Sequence, residues 1–291
     1  MMAGCHTLSD DLTTRDPEET STEVGDSTEP EVVIADPCLD ESPEDQAETW
    51  PLETWRVTCP ETQNMDSIAL ERVREYALFP PRKTQSVLII RNGNIVAEWY
   101  HHDRGTDSHA TSWSVAKSFL SALVGIAIDR GELPSADEPL ATYVPALRDE
   151  GKADITFRHA LQMRSGLRPH SPENIYWQSD QLAYSLYREM EEEPGQSWSY
   201  QNGDSMLVSH ALESALGRDL QSYAQEVLFD PIGMEGRWWT DAQDHVLGYC
   251  CIDATPRDFA RFGLLFERGG SWAGQQVVST GWVSESTTPV A

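Results

Sequence analysis

Lysine is almost missing from this 291-residue chain: only Lys83, Lys117 and Lys152 occur. Lysine and arginine together number 21 against 48 aspartates and glutamates, a net charge of −27. That deficit excludes a nucleic-acid partner, because neutralising phosphates needs clustered cations. No run of eighteen apolar residues occurs, so no helix is predicted to span a membrane. The five cysteines include no Cys-x-x-Cys pair and the eight histidines no His-Glu-x-x-His spacing. Neither a metal nor a cofactor is therefore expected. His101-His102-Asp103 follows a predicted strand, where successive side chains face opposite sides, and reads as a loop face.

The acid that is present is unevenly spread. Residues 1–60 hold 16 acids and two bases, a net −14, and the rest of the chain carries −13. Residues 1–55 read as a disordered acidic leader, too poor in apolar groups to offset their ordering entropy. Two readings of it stand. One is a solubilising tail. The other starts from Met2-Ala3-Gly4-Cys5, which resembles the end of a bacterial lipoprotein signal, although neither a basic nor an apolar segment precedes it. On that reading Cys5 is acylated, and the protein is tethered to a membrane in the periplasm or at the cell surface. A native N-terminal mass spectrum with unmodified Cys5 would remove it. Cys38 and Cys59 either pair in an oxidising compartment or stay as thiols; Cys250 and Cys251 stand side by side with no physical account from sequence.

From residue 56 the chain reads as one domain. A helix is predicted over 66–78, ended by Pro80-Pro81. Residues 86–91 and 94–100 form a hairpin about Asn92-Gly93, a pair that tolerates the positive φ of a type I′ turn. The strongest helix runs from Ser114 to about Arg130, closed by Gly131, and is apolar nearly all round, as a buried central helix must be. Further helices are predicted at 154–163, 179–192, 203–216, 219–228 and 255–268. The stretch from about 140 to 245 contains no good strand and reads as an all-helical subdomain.

Ser114-Val115-Ala116-Lys117 opens the central helix. Residues three apart share a helix face, so the ammonium can reach the hydroxyl. Apolar surroundings lower a lysine's pKa and let it accept a proton. The helix N-terminus favours negative charge near Ser114, whose N–H can serve an oxyanion. By itself the four-residue pattern is common; in a chain with three lysines, one in the most apolar helix would otherwise be a buried charge needing a partner. Tyr200-Gln201-Asn202 lies in a polar loop entering a helix. Taken alone it is a turn and cap; beside a lysine the phenol becomes a proton carrier, and the Asn202 amide can bind a carbonyl.

Together these segments resemble the serine β-lactamase/penicillin-binding protein superfamily, most of all its class C-like branch of esterases, D-amino-acid peptidases and 6-aminohexanoate-dimer hydrolases. The likeness runs in order through the hairpin, Ser114-Val-Ala-Lys-Ser-Phe119, Ile155 to Leu167, Tyr200-x-Asn-Gly203, Leu228-Phe-Asp-Pro-Ile-Gly-Met234 and Ala254 to Gly263. It implies an α+β fold, an antiparallel sheet flanked by helices with a helical subdomain beside it and the site between them. It implies an acylated Ser114, Lys117 and Tyr200 as the acid–base pair, and Asn202 on the substrate, with Trp177 and Trp198 as candidate substrate walls. The implied activity is hydrolysis of a small ester or amide, with β-lactamase or D-amino-acid peptidase as alternatives. A non-catalytic, penicillin-binding-protein-like binding module is the reading from another class. The family's third motif, Lys-Thr-Gly or His-x-Gly, lies on a strand beyond the point where this chain stops. Ser279-Thr280-Gly281 is rejected as a substitute because Trp282 to Ser286 belongs to a helix. The sheet is thus expected to be incomplete at its C-terminal side, and the 291-residue chain alone inactive or insoluble.

Overall fold

The structure, a computed structural model, describes Val32–Val33, residues 48–149 and residues 151–290. Most of the acidic leader, including Cys5 and Cys38, lies outside the described residues.

The β-branched pair Val32–Val33 forms β1, antiparallel to β3 with Val32 opposite Trp99. Within residues 48–55, the end of the stretch read as a disordered leader, Trp50, Pro51 and Trp55 are packed while Leu52, Glu53 and Thr54 are exposed. Trp50 meets Trp272 with ring centroids 5.1 Å apart, and buried Trp55 donates from Nε1 to the Arg257 carbonyl at 3.1 Å. Helix α1 (Ser67–Leu78) starts where Asp66 accepts from the Ile68 and Ala69 N–H groups. Strands β2 (Ser86–Arg91) and β3 (Asn94–Tyr100) turn on Asn92 and Gly93 at φ 51° and 79°. The sheet order is β1-β3-β2. Middle strand β3 is buried throughout, whereas β2 is half-buried and has no strand on its outer edge among the described residues.

Short β4 (Ala110–Thr111) leads to the central helix α2 (Ala116–Asp129). Phe119, Leu120, Leu123 and Val124 are fully buried, as its all-round apolarity predicts. Helices α3 (Phe157–Leu161) and α4 (Gln181–Leu186) are much shorter than the sequence predicts. For α4 the cause is tertiary. The Leu186 carbonyl is taken by Lys152 Nζ at 3.0 Å, and the Arg168 and Glu191 N–H groups pair with the Glu189 and Gly166 carbonyls instead of continuing a helix. Helix α5 (Asn202–Leu216) packs on α2 and α4, followed by α6 (Leu220–Ala224), a π-turn at Gln225–Phe229, and α7 (Asp230–Ile232). Strand β5 (Arg237–Trp238) lies within the stretch read as strandless. It pairs with β6 (Ile252–Ala254), which also pairs with β4. Helix α8 (Pro256–Glu267) carries a Thr255–Asp258 capping box. After the hairpin of β7 (Ser271–Trp272) and β8 (Gln275–Gln276), Ser279 caps α9 (Thr280–Thr287). Ser279-Thr280-Gly281 therefore begins a helix and is not a strand-borne motif. Helix α9 lies on α2 because residue 125 is glycine: a Cβ there would sit 2.3 Å from the Trp282 ring.

A groove of about 560 Å³ runs between β2 and α8, lined by Leu88, Ile90, Phe259 and Leu264 among others. It does not include Ser114.

Candidate active site

Ser114 is held one step outside the position that the sequence predicts. It lies in a tight 3-10 turn, Trp113–Val115, ahead of α2 rather than on it. Trp113 adopts φ +45°, a conformation that is strained for a bulky side chain. The turn is gripped from β6: Ser112 N–H donates to the Ile252 carbonyl at 2.8 Å, and Ser112 Oγ accepts from Ile252 N–H at 2.9 Å. Ser114 is left exposed at the surface.

One turn on, Lys117 Nζ lies 3.2 Å from Ser114 Oγ, 3.0 Å from the Tyr200 hydroxyl, 2.9 Å from Asn202 Oδ1 and 2.7 Å from the Tyr249 carbonyl. The Tyr200 hydroxyl lies 2.6 Å from Ser114 Oγ. All four predicted polar residues thus meet at one point. Asn202 opens α5 and is 2 % exposed; Tyr200, just ahead of it, is half-exposed. Every oxygen around the ammonium is formally neutral, and burial pushes Lys117 below the ordinary lysine value. Burial pushes the Tyr200 phenol up, but hydrogen bonding with Lys117 and with Ser114 and the lysine charge more than offset this and leave it below its ordinary value.

Two contributors carry no sequence signature. The Tyr249 carbonyl is a backbone group from 132 residues away. It is delivered by a segment pressed against α5, where a Cβ on Gly248 would stand 2.6 Å from Ser209 Cβ. Tyr249 also donates its hydroxyl to Gln181 Oε1 at 2.8 Å. Tyr176 approaches Asn202 Nδ2 at 3.4 Å, edge-on to Trp113 with centroids 6.4 Å apart. Only its membership of an aromatic pair with Trp177 hinted at it. The two predicted walls are placed differently from the polar four. Trp177 is 84 % exposed on the turn after Tyr176. Trp198 is 65 % exposed and lines two cavities with Met163, one of them also bounded by Trp282, and Ser114 lines neither cavity.

Adjacent Cys250 and Cys251 form a disulfide. Cys59 is also disulfide-bonded. Asp180, Asp241 and His245 stand close enough to share an ion. Their oxygens are already engaged, however: Asp180 caps α4 on Ala183 N–H, and Asp241 accepts from the Gln181, Gln243 and His245 N–H groups. His101 and Asp103 contact each other at 2.7 Å on the surface.

Residues 82–291 match the family model described as Beta-lactamase. The chain belongs to the beta-lactamase family. It is 28 % identical over 169 residues to a D-aminopeptidase of Brucella anthropi, covering 51 % of this chain and 31 % of the relative. It is 22 % identical over 220 residues to a 6-aminohexanoate-dimer hydrolase of Paenarthrobacter ureafaciens, covering 69 % and 56 %. The chain therefore spans about a third and about half of these curated relatives. Among solved structures, a beta-lactamase/D-alanine carboxypeptidase of Pseudomonas syringae superposes with a TM-score of 0.59 at 19 % identity, covering 75 % of this chain and 68 % of the other. A penicillin-binding protein homologue of Caulobacter crescentus gives 0.60 at 16 %, covering 75 % and 73 %. The fold is the beta-lactamase/transpeptidase-like α+β fold.

Proposed function

We propose that this member of the beta-lactamase family is a serine hydrolase that cleaves a small ester or amide through an acyl-enzyme on Ser114. The observation that carries the reading is the meeting of Ser114 Oγ, the Tyr200 hydroxyl and a desolvated Lys117 within 3.2 Å of one another. A binding-only relative has no use for a half-buried lysine held among neutral oxygens. An activated nucleophile needs one.

Tyr200 takes the direct role in this reading, which is supported by its hydroxyl being nearer than Lys117 Nζ to Ser114 Oγ. The Tyr200–Lys117 pair takes the serine proton as Oγ attacks the substrate carbonyl carbon. The carbonyl electron pair moves onto oxygen, near the N-terminal end of α2 where negative charge is favoured. Collapse expels the alcohol or amine, which takes its proton back from Tyr200. Water then enters, gives a proton to the same pair and attacks the acyl carbon; the bond to Ser114 Oγ breaks, the pair returns that proton to Oγ, and the acid is released. Asn202 Oδ1 and the Tyr249 carbonyl, which can only accept, occupy two N–H groups of Lys117. The remaining position, a proton or a lone pair, is left for Ser114 and Tyr200.

The test is labelling by a fluorophosphonate of the protein as its native gene encodes it. One label on Ser114, absent from Ser114→Ala, is the expected result. Equal labelling of the alanine variant would sink the mechanism. Turnover of p-nitrophenyl esters, D-amino-acid amides and β-lactams side by side then ranks ester, peptide and lactam cleavage.

A further inference from the structure

The vicinal disulfide lies between the two grips that build the site. On one side, the Tyr249 carbonyl accepts from Lys117 at 2.7 Å; on the other, Ile252 exchanges two hydrogen bonds with Ser112, two residues before the nucleophile. Only Cys250 and Cys251 separate these contacts. Cys251 has φ +76°, which favours glycine and is strained for other residues. Both cysteines are buried, at 2 % and 5 % exposure, and their carbonyls are bonded too, Cys250 to Trp238 Nε1 at 3.0 Å and Cys251 to Trp239 N–H at 2.9 Å. The backbone must therefore turn sharply in a fixed place, with a residue ill-suited to that turn.

We propose that the Cys250–Cys251 bond is a positioning element of the active site, closing a covalent ring that keeps Cys251 in the left-handed conformation from which Tyr249 reaches Lys117. In this chain the ring does what a glycine would do at residue 251. The inference rests on the reading of Lys117 as part of the proton-transfer pair. It also makes the site sensitive to thiol reductants. A dithiol gives up two electrons and two protons, the S–S bond becomes two thiols, and the reductant closes to its own disulfide. Freed of the ring, Cys251 relaxes toward negative φ, the Tyr249 carbonyl turns away, and Lys117 loses one of its two pure acceptors.

Three variants separate the bond from the backbone, each made in the protein as its native gene encodes it. Cys250→Ala breaks the bond and leaves a side chain at positive φ. Cys251→Gly breaks the bond but permits the turn, and the double variant does both. Cys250→Ala is expected to lower kcat about tenfold with KM little changed, the size of effect a displaced catalytic group gives. Cys251→Gly and the double variant should stay near wild type and ignore dithiothreitol. Wild-type kcat should fall to the Cys250→Ala level once mass spectrometry finds both residues as thiols. A fully active Cys250→Ala, or a double variant as impaired as Cys250→Ala, overturns the proposal. Should Cys250→Ala not fold, the kcat of the double variant decides alone. Competitive acylation of Lys117 against pH, with Lys83 and Lys152 as internal references, reads the positioning without turnover. Lys117 reactivity should change in Cys250→Ala and return in the double variant. If it does so in a protein that hydrolyses nothing, the hydrolase reading fails while the positioning stands. If hydrolysis is intact and Lys117 never changes, the positioning fails alone.

Discussion

Two cations meet the segment from Tyr200 to Asp204 and are treated in opposite ways. Lys117 touches Tyr200 and Asn202, and each of its partners among the described residues is a neutral oxygen. Arg188 touches Gln201 and pairs with Asp204 at 2.6 Å, both side chains being 1 % exposed. Burial lowers Lys117. The same burial pushes the Asp204 carboxyl up, against the pull of Arg188. The lesson lies in where the carboxylate is. A buried cation given one is fixed and holds the start of α5 in place. A half-buried cation denied one, as Lys117 is, is readier to release a proton.

The comparison breaks most violently at Lys117. Lys117→Ala should lower acylation of Ser114 by about 10³–10⁴-fold, the upper range for a lost acid–base group. The melting temperature should hardly move, since the removed charge has no ionic partner. Fluorophosphonate labelling rates and thermal unfolding on one preparation check both halves. A strong loss of stability would mean that Lys117 is structural after all.

Arg188→Ala should do the reverse. It strands the Asp204 carboxylate in the core and should cost about 3–5 kcal/mol of stability. Urea unfolding measures this. Replacing both partners with apolar residues, Arg188→Met with Asp204→Leu, should recover most of the loss, because the pair's worth is offset by the desolvation of two charges. If the double variant unfolds as easily as the single, the pair is more than a compensated burial.

Asn202→Asp sharpens the contrast by moving a carboxylate to the lysine. The carboxylate would stand where Oδ1 now lies, 2.9 Å from Nζ. It favours the charged ammonium, so it raises the lysine pKa. The acid limb of kcat/KM reports loss of a proton from the Lys117–Tyr200 pair, so it should move to higher pH. Activity near neutrality falls and returns on alkalinisation. A limb that stays in place would remove Lys117 from the titration.

These predictions draw on both kinds of information. The pairing of Ser114 with Lys117 was legible because side-chain chemistry at helical spacing leaves a trace, and the approach of Tyr200 and Asn202 because the order of segments resembles a known family. So were the hairpin, set by Asn92-Gly93, and the buried α2, set by apolar residues on every side. The Tyr249 carbonyl was not legible, since a backbone acceptor can belong to any residue. Nor was the short span of α4, which Lys152 cuts off by claiming the Leu186 carbonyl. Trp198 was a candidate substrate wall only through the family resemblance, and the loop that carries it sets it beside Met163 and Trp282. The shift of Ser114 off the helix followed from Trp113, whose positive φ no pattern of residue types announces.

The smallest effect belongs to Tyr176. Its hydroxyl stands 3.4 Å from Asn202 Nδ2, at the long limit of a hydrogen bond, and the residue is 40 % exposed, so water competes for the same group. Lys117 orients the other end of that amide at 2.9 Å, so the amide keeps its direction when Tyr176 lets go. Tyr176→Phe should therefore cost no more than about 0.5–1 kcal/mol, two- to fivefold in kcat/KM. Tyr176→Ala removes in addition the ring that meets Trp113 edge-on, an aromatic contact worth about 0.5–1.5 kcal/mol. Its further loss should appear in KM for substrates with apolar groups rather than in the pH profile. Should Tyr176→Phe instead move the acid limb, Tyr176 would belong with the neutral oxygens that set Lys117, and the cage around the lysine would extend one residue farther than its direct contacts.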